Sequence, residues 1–147
     1  MEAKDYLGQM RELTLQVNDL FEKLEELKAR SESATGQPWG VRAQSNGHRD
    51  RIAAIVAEKV NLEQELLARI EALIDLKTEA MELIGELPDQ SHRLLLWNRY
   101  LNLKPWNEVA LGLGMTLGGC HAMNRRALAE LDKILQRKRG KLKNGAT

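Results

Sequence analysis

The sequence predicts an all-α protein, and three observations carry that expectation. Leu, Ala, Glu, Lys and Arg dominate a chain that is 43% hydrophobic and only 4% aromatic, a composition that favours helices. Apolar residues recur at alternating steps of four and three, the a/d period of a helix that buries one seam. No stretch alternates apolar and polar residues for long enough to read as a strand.

The first element spans residues 3–30. Tyr6, Met10, Leu13, Val17, Leu20, Leu24 and Leu27 form an unbroken seam of about three heptads. Such a helix would be roughly 42 Å long at 1.5 Å per residue. Residues 31–47 hold Gly, Pro, Ser and Asn and read as a loop longer than ordinary helix connections. Trp39 within it is either an anchor for a partner or an indole packed against the adjoining helices. A second helix is expected over 48–86. Ile52, Ile55, Leu62, Leu66, Leu73, Leu76, Ala80 and Leu83 continue a heptad-like seam, and Val56, Leu67, Ile70, Ile74, Met81 and Ile84 widen the apolar face. The two segments make residues 1–87 a long helical hairpin or coiled coil. Its seam residues Leu13, Val17, Leu20, Leu24 and Leu27 are the expected dimer or partner contact.

Leu87-Pro88-Asp89 closes the second helix, because Pro88 cannot continue the hydrogen-bond ladder, and Asp89 suits the cap of a third helix over about 89–102. Residues 105–131 then read as two helices around a tight turn. Pro105 fits a first helical turn. Trp106, Val109, Ala110 and Leu113 share one face, Gly114 supplies a left-handed stop, and Thr116 caps the next helix. In that helix Cys120, Met123 or Asn124, Ala127, Leu128 and Leu131 face inward, while His121, Arg125 and Arg126 face outward. A short helix, a glycine turn and a longer basic helix make a helix-turn-helix pattern, expected over 88–135 and followed by a basic, fraying tail at 136–147.

Charge is split along the chain. Residues 1–87 hold eleven Lys/Arg against seventeen Asp/Glu, net −6, and residues 88–147 hold eleven against four, net +7. A polyanionic partner for the second part follows, and double-stranded DNA is the one the motif suits. Arg125 and Arg126 are the candidates for guanine or phosphate contact, with His121 beside them and Arg93, Arg99 and Lys104 as flanking phosphate contacts. Arg99 has an alternative partner in Glu108. Leu117, Gly118, Gly119 and Ala122 offer no strong hydrogen-bonding groups at the start of the outward face.

Other chemistries find no support. No apolar run reaches the roughly 20 residues that span a bilayer, so no membrane association is expected. Residues 1–5 lack the apolar core of a signal peptide, and the single Cys120 forms no internal disulfide, so a reducing cytoplasm is the expected location. His48, His92 and His121 are too scattered for a metal signature. Cys120 and His121 are helical neighbours about 100° apart and cannot face each other as a nucleophile and base. Gly112, Gly114, Gly118 and Gly119 follow no strand and form no phosphate loop. The chain is therefore expected to be no enzyme, with no catalytic residue, metal or cofactor.

Residues 87–131 resemble the promoter-reading C-terminal region, region 4, of bacterial primary-type sigma factors. The matching pieces are Leu87-Pro88, Arg93, Leu95-Leu96, Arg99-Tyr100-Leu101, Trp106, Glu108-Val109-Ala110, Leu113-Gly114-Met115-Thr116 and Arg126-Ala127-Leu128 with Leu131. Lys104 stands where that family has a Ser or Thr cap, and Cys120 where it often has valine. The whole chain is similar to small phage and prophage proteins, some of whose relatives are regarded as activators of late phage transcription. The resemblance implies a transcription regulator of a bacterial host's cytoplasm that binds duplex DNA, with RNA polymerase as a further partner, and the heptad seam implies a homodimer. It places Arg126 nearer the domain's own packing than Arg125. Two other functions fit the same layout: a phage packaging or structural adaptor, and a protein-interaction module that does not bind DNA.

Overall fold

A computed structural model describes residues 1–35 and 45–145, and every element among them is helical. Helix α1 spans Ala3–Thr35, α2 Ser45–Gly85, α3 Gln90–Leu96, α4 Trp106–Gly112 and α5 Leu117–Gly145. A π-helical turn, Trp97–Leu101, follows α3 directly. The all-α expectation holds. Trp39 lies outside the described residues.

Three helix ends lie beyond their expected limits. Helix α1 continues past residue 30 to Thr35, the last position before Gly36, and α2 begins at Ser45. Ser and Thr are weaker helix formers than Ala by only about 0.5 kcal/mol each, so they do not end a helix by themselves. Helix α5 continues through residues 136–145, where fraying was expected. Two contacts hold this stretch: Lys138 pairs with Glu86 at 3.2 Å, and Arg139 Nη2 donates to the Met1 carbonyl at 2.8 Å.

The described chain forms two compact units: Met1–Glu12 with Leu73–Thr147, and Leu13–Ala72. In the first, one hydrophobic cluster gathers side chains from five helices. Tyr6, Leu7 and Met10 of α1 join Leu83 and Ile84 of α2, Leu95 and Leu96 of α3, Val109 and Ala110 of α4, and Cys120, Ala127, Leu131 and Ile134 of α5. Each leucine enclosed in this way contributes about 1.5–3 kcal/mol. The seam positions Tyr6 and Met10 thus serve the core of this unit. Polar bonds tie the same helices together. The Ala3 N–H donates to Asp132 Oδ1, and Tyr6 Oη donates to Glu79 Oε1 at 2.8 Å. Burial first, and the Glu79 bond second, push the Tyr6 phenol pKa well above its ordinary value.

In the second unit, Leu20, Leu27 and Leu66 are buried, and Leu13, Val17, Leu24, Ile52, Ile55 and Leu62 are half-buried. Among the described residues, the buried side chains of this unit are thus all seam leucines. Arg30 reaches Glu58 at 3.6 Å between the helices, while Lys23–Asp19 and Lys59–Glu63 are exposed i,i+4 pairs. Exposed pairs of this kind contribute about 0–1 kcal/mol, so burial of the leucines dominates.

The third helix differs from its expected form. Asp89 caps α3, accepting from the Ser91 N–H at 2.8 Å, but α-helical geometry ends at Leu96. In the π turn the Asn102 N–H bonds the Trp97 carbonyl at 2.9 Å, and the Lys104 N–H reaches the Asn98 carbonyl at 2.9 Å. The widened turn buries Leu101 and leads into Leu103, whose φ of 55° is left-handed without being glycine. A left-handed L-residue costs roughly 1–2 kcal/mol.

Candidate nucleic-acid interface

The candidate site is built from the π turn, α4 and the start of α5, all within the first unit. Pro105 is the N-cap residue of α4 and sits just outside the helix, with φ −65° and ψ 154°. Val109 and Ala110 are buried, and Trp106 and Leu113 are half-buried, as the spacing predicts. The helix then ends in a close turn. The Gly114 N–H bonds the Leu111 carbonyl at 3.1 Å, the Met115 N–H bonds the Ala110 carbonyl at 3.0 Å, and Gly114 has a φ of +66°. Thr116 Oγ1 accepts from the Gly119 N–H at 3.1 Å and so caps α5. A Cβ on residue 119 would stand 3.1 Å from that same hydroxyl, so glycine there keeps the cap undisturbed.

Helix α5 divides cleanly around its axis. Cys120, Ala127 and Leu131 are fully buried; burial raises the Cys120 thiol pKa, which keeps it protonated. On the other side, Leu117, Gly118, Arg125 and Arg126 are exposed and His121 and Ala122 are half-buried. Helical spacing sets two parallel rows along this side: Leu117, His121, Arg125, and Gly118, Ala122, Arg126. Both arginines are exposed, and among the described residues neither forms an ion pair. Arg126 is exposed, as Arg125 is. Further along, Lys133, Arg137 and Lys141 are exposed and share the side of Arg126 at steps of seven, four and four.

An aromatic cluster that sequence reasoning did not anticipate holds the flank. Arg99 Cζ lies 4.6 Å from the Trp106 ring centre, and its Nη1 donates to the Lys104 carbonyl at 3.0 Å. The guanidinium therefore stacks on Trp106 in place of the expected alternative partner Glu108. The Trp106 ring also lies 4.6 Å from the His121 ring and meets Tyr100 edge-on at 6.5 Å. Tyr100 Oη donates to Asn124 Oδ1 at 3.0 Å. Burial raises the Tyr100 phenol pKa, with the Asn124 bond and Arg99 acting the other way, so the hydroxyl stays a donor. A cation–π contact is worth about 0.5–1 kcal/mol where exposed, enough to bias the Arg99 rotamer. The sequence carries Trp106 and His121 fifteen positions apart, and no local spacing rule brings them together.

The remaining candidates are placed differently. Lys104 is exposed beside Pro105. Arg93 is half-buried, with Nη1 donating to the Leu87 carbonyl at the end of α2, so part of its fork serves the fold. His92 is buried, with Nδ1 3.1 Å from Glu130 Oε2 and Nε2 3.6 Å from Asp89 Oδ2. It links α3 to α5. Among the described residues no cluster of His, Cys, Asp and Glu is arranged to hold a metal, and no helix is long and apolar enough to cross a membrane. No protein-family model matches this chain, and no curated protein or solved structure matches it significantly.

Proposed function

We propose that the chain is a DNA-binding transcription regulator of the phage or prophage kind, in which α4 and α5 act as a helix-turn-helix and α5 enters the major groove. One observation carries this reading: two exposed arginines without ion-pair partners stand on the outward side of a capped helix that follows a tight glycine turn. Arg99, stacked on Trp106, and exposed Lys104 flank that side as phosphate contacts, and Lys133, Arg137 and Lys141 extend the positive charge. The long helices α1 and α2 serve as a hairpin that pairs with a second copy. The resemblance to sigma region 4 adds RNA polymerase as a partner.

Salt dependence of duplex binding tests the reading. Each neutralised phosphate contributes a slope of about −0.9 in log affinity against log salt, so four to six contacts give about −4 to −5. Arg125→Ala and Arg126→Ala are each expected to reduce that slope by about one if they touch phosphate. If either reads a guanine, its loss costs about 1–3 kcal/mol at one base pair. No duplex binding at low salt by the folded protein would leave only the interaction-module reading.

The exposed apolar residues of α2 favour a second reading, a packaging or structural adaptor. Val56, Val60 and Leu67 lie on the surface of the second unit, where a larger assembly would cover them. A ring of eight or more subunits by native mass spectrometry would select the adaptor, and a dimer the regulator.

A further inference from the structure

The outward side of α5 is apolar where the helix begins and cationic two turns later. Leu117 is 49% exposed, Gly118 is exposed with no atom within 4 Å of where a Cβ would stand, and Ala122 is half-buried. None of the three has a hydrogen-bonding side chain, so none can read the donors and acceptors of a base edge. The base pairs offer the major groove one apolar group, the C5 methyl of thymine. Resting on the helix-turn-helix reading, we infer that Leu117 and Ala122 select thymine by contact with that methyl. Bare Gly118, one turn before Ala122 in the same row, lets the helix backbone approach the groove floor. The occupant is duplex DNA and not an apolar protein surface because the same two rows end in Arg125 and Arg126, eight residues beyond Leu117 and Gly118. These cations complement a polyanion, and an apolar protein partner would leave them buried and unpaired. Leu117 then differs in kind from exposed Leu103 and Leu111, which stand outside both rows.

The test uses the full chain. Duplexes are selected from a random pool at low salt, and each thymine of the selected duplex is replaced in turn by deoxyuridine, which lacks only the methyl group. Affinity is expected to fall about fourfold at each of two thymines, the effect of one CH2-sized group leaving contact. Leu117→Ala should abolish the deoxyuridine penalty at one of those positions, Ala122→Gly at the other, and neither should alter the response at the remaining thymines. Leu117 is exposed, so Leu117→Ala should retain the melting temperature of the parent, which separates lost reading from lost fold. Selected duplexes without a thymine preference, or equal tolerance of deoxyuridine everywhere, overturn the methyl contact while duplex binding itself stands. A folded protein that binds no duplex at low salt overturns both the inference and the regulator reading.

Discussion

Two glycines four positions apart, Gly114 and Gly118, meet opposite requirements. Gly114 holds φ +66° in open space, so a side chain there suffers from backbone strain and not from collision. Gly114→Ala is expected to destabilise the fold by about 1 kcal/mol, the left-handed penalty less the gain from a stiffer unfolded chain. Gly118 is helical and equally open, so Gly118→Ala should stabilise by up to about 1 kcal/mol. Thermal or urea unfolding of the two variants side by side gives shifts of opposite sign if the turn has this geometry. In duplex binding Gly118→Ala should weaken affinity despite the added stability, because its methyl stands between helix and groove. The role of Gly114 was legible from sequence because a glycine followed by a Thr cap is a local signal. That of Gly119, which leaves room for the Thr116 hydroxyl, needs the cap geometry itself.

At the scale of elements, the largest departure is the replacement of the expected α3 continuation by a π turn at Trp97–Leu101. Propensity and periodicity see only a helix-forming stretch there. The wider turn depends on where Leu101 and Trp106 must pack, which is a tertiary demand. The start of α1 shows the same limit. The heptad step is the same at Tyr6 as at Leu20, yet Tyr6 packs in one unit and Leu20 in the other. The Tyr6 bond to Glu79 has a consequence for pH. Its folded pKa is raised, so this contribution to stability is full below about pH 10, where the unfolded phenol titrates, and is lost as pH rises toward the folded value. Above pH 10 the unfolded chain binds fewer protons than the native one, and stability should fall with pH. Chemical unfolding between pH 8 and pH 11, ranges set by the ordinary tyrosine pKa of about 10, should show that fall, and Tyr6→Phe should flatten it. An unchanged slope in Tyr6→Phe would assign the alkaline loss elsewhere, with Tyr100 next in line because burial raises it too.

At the scale of the whole molecule, the seams account for the buried leucines of the second unit, Leu20, Leu27 and Leu66, but not for the apolar residues left outside. On α2, Val60, Leu67, Ile74 and Met81 are all exposed and recur every seven residues. A strict seven-residue apolar row is the pattern of a helix that meets another along its length. Under the regulator reading the homodimer meets through Val60 and Leu67 of this row in the second unit, distinct from one through Leu13, Val17, Leu20, Leu24 and Leu27, which are already buried or half-buried; under the adaptor reading the same two residues meet the next subunit of the ring. Val60→Glu with Leu67→Glu should yield a monomer by sedimentation at tens of micromolar with helicity retained. Val17→Asp with Leu20→Asp should instead lower the melting temperature, because charges enter a seam closed within the chain. A doubly substituted Val60/Leu67 protein that sediments like the parent would remove this row from the assembly.

The sequence by itself determined the helical class, the heptad seams, the Asp89 and Thr116 caps, the Gly114 turn and the two sides of α5, because each is written in spacings of a few residues or in one residue's local chemistry. It also showed the charge split between residues 1–87 and 88–147. Only the tertiary structure decided that the first turns of α1 share a core with α5, that His92 lies between Asp89 and Glu130, and that Arg99 stacks on Trp106 beside His121. Those contacts join residues far apart in the chain, and their partners are chosen by which packed arrangement buries most apolar surface while satisfying the polar groups it encloses. No periodicity along one segment encodes that choice.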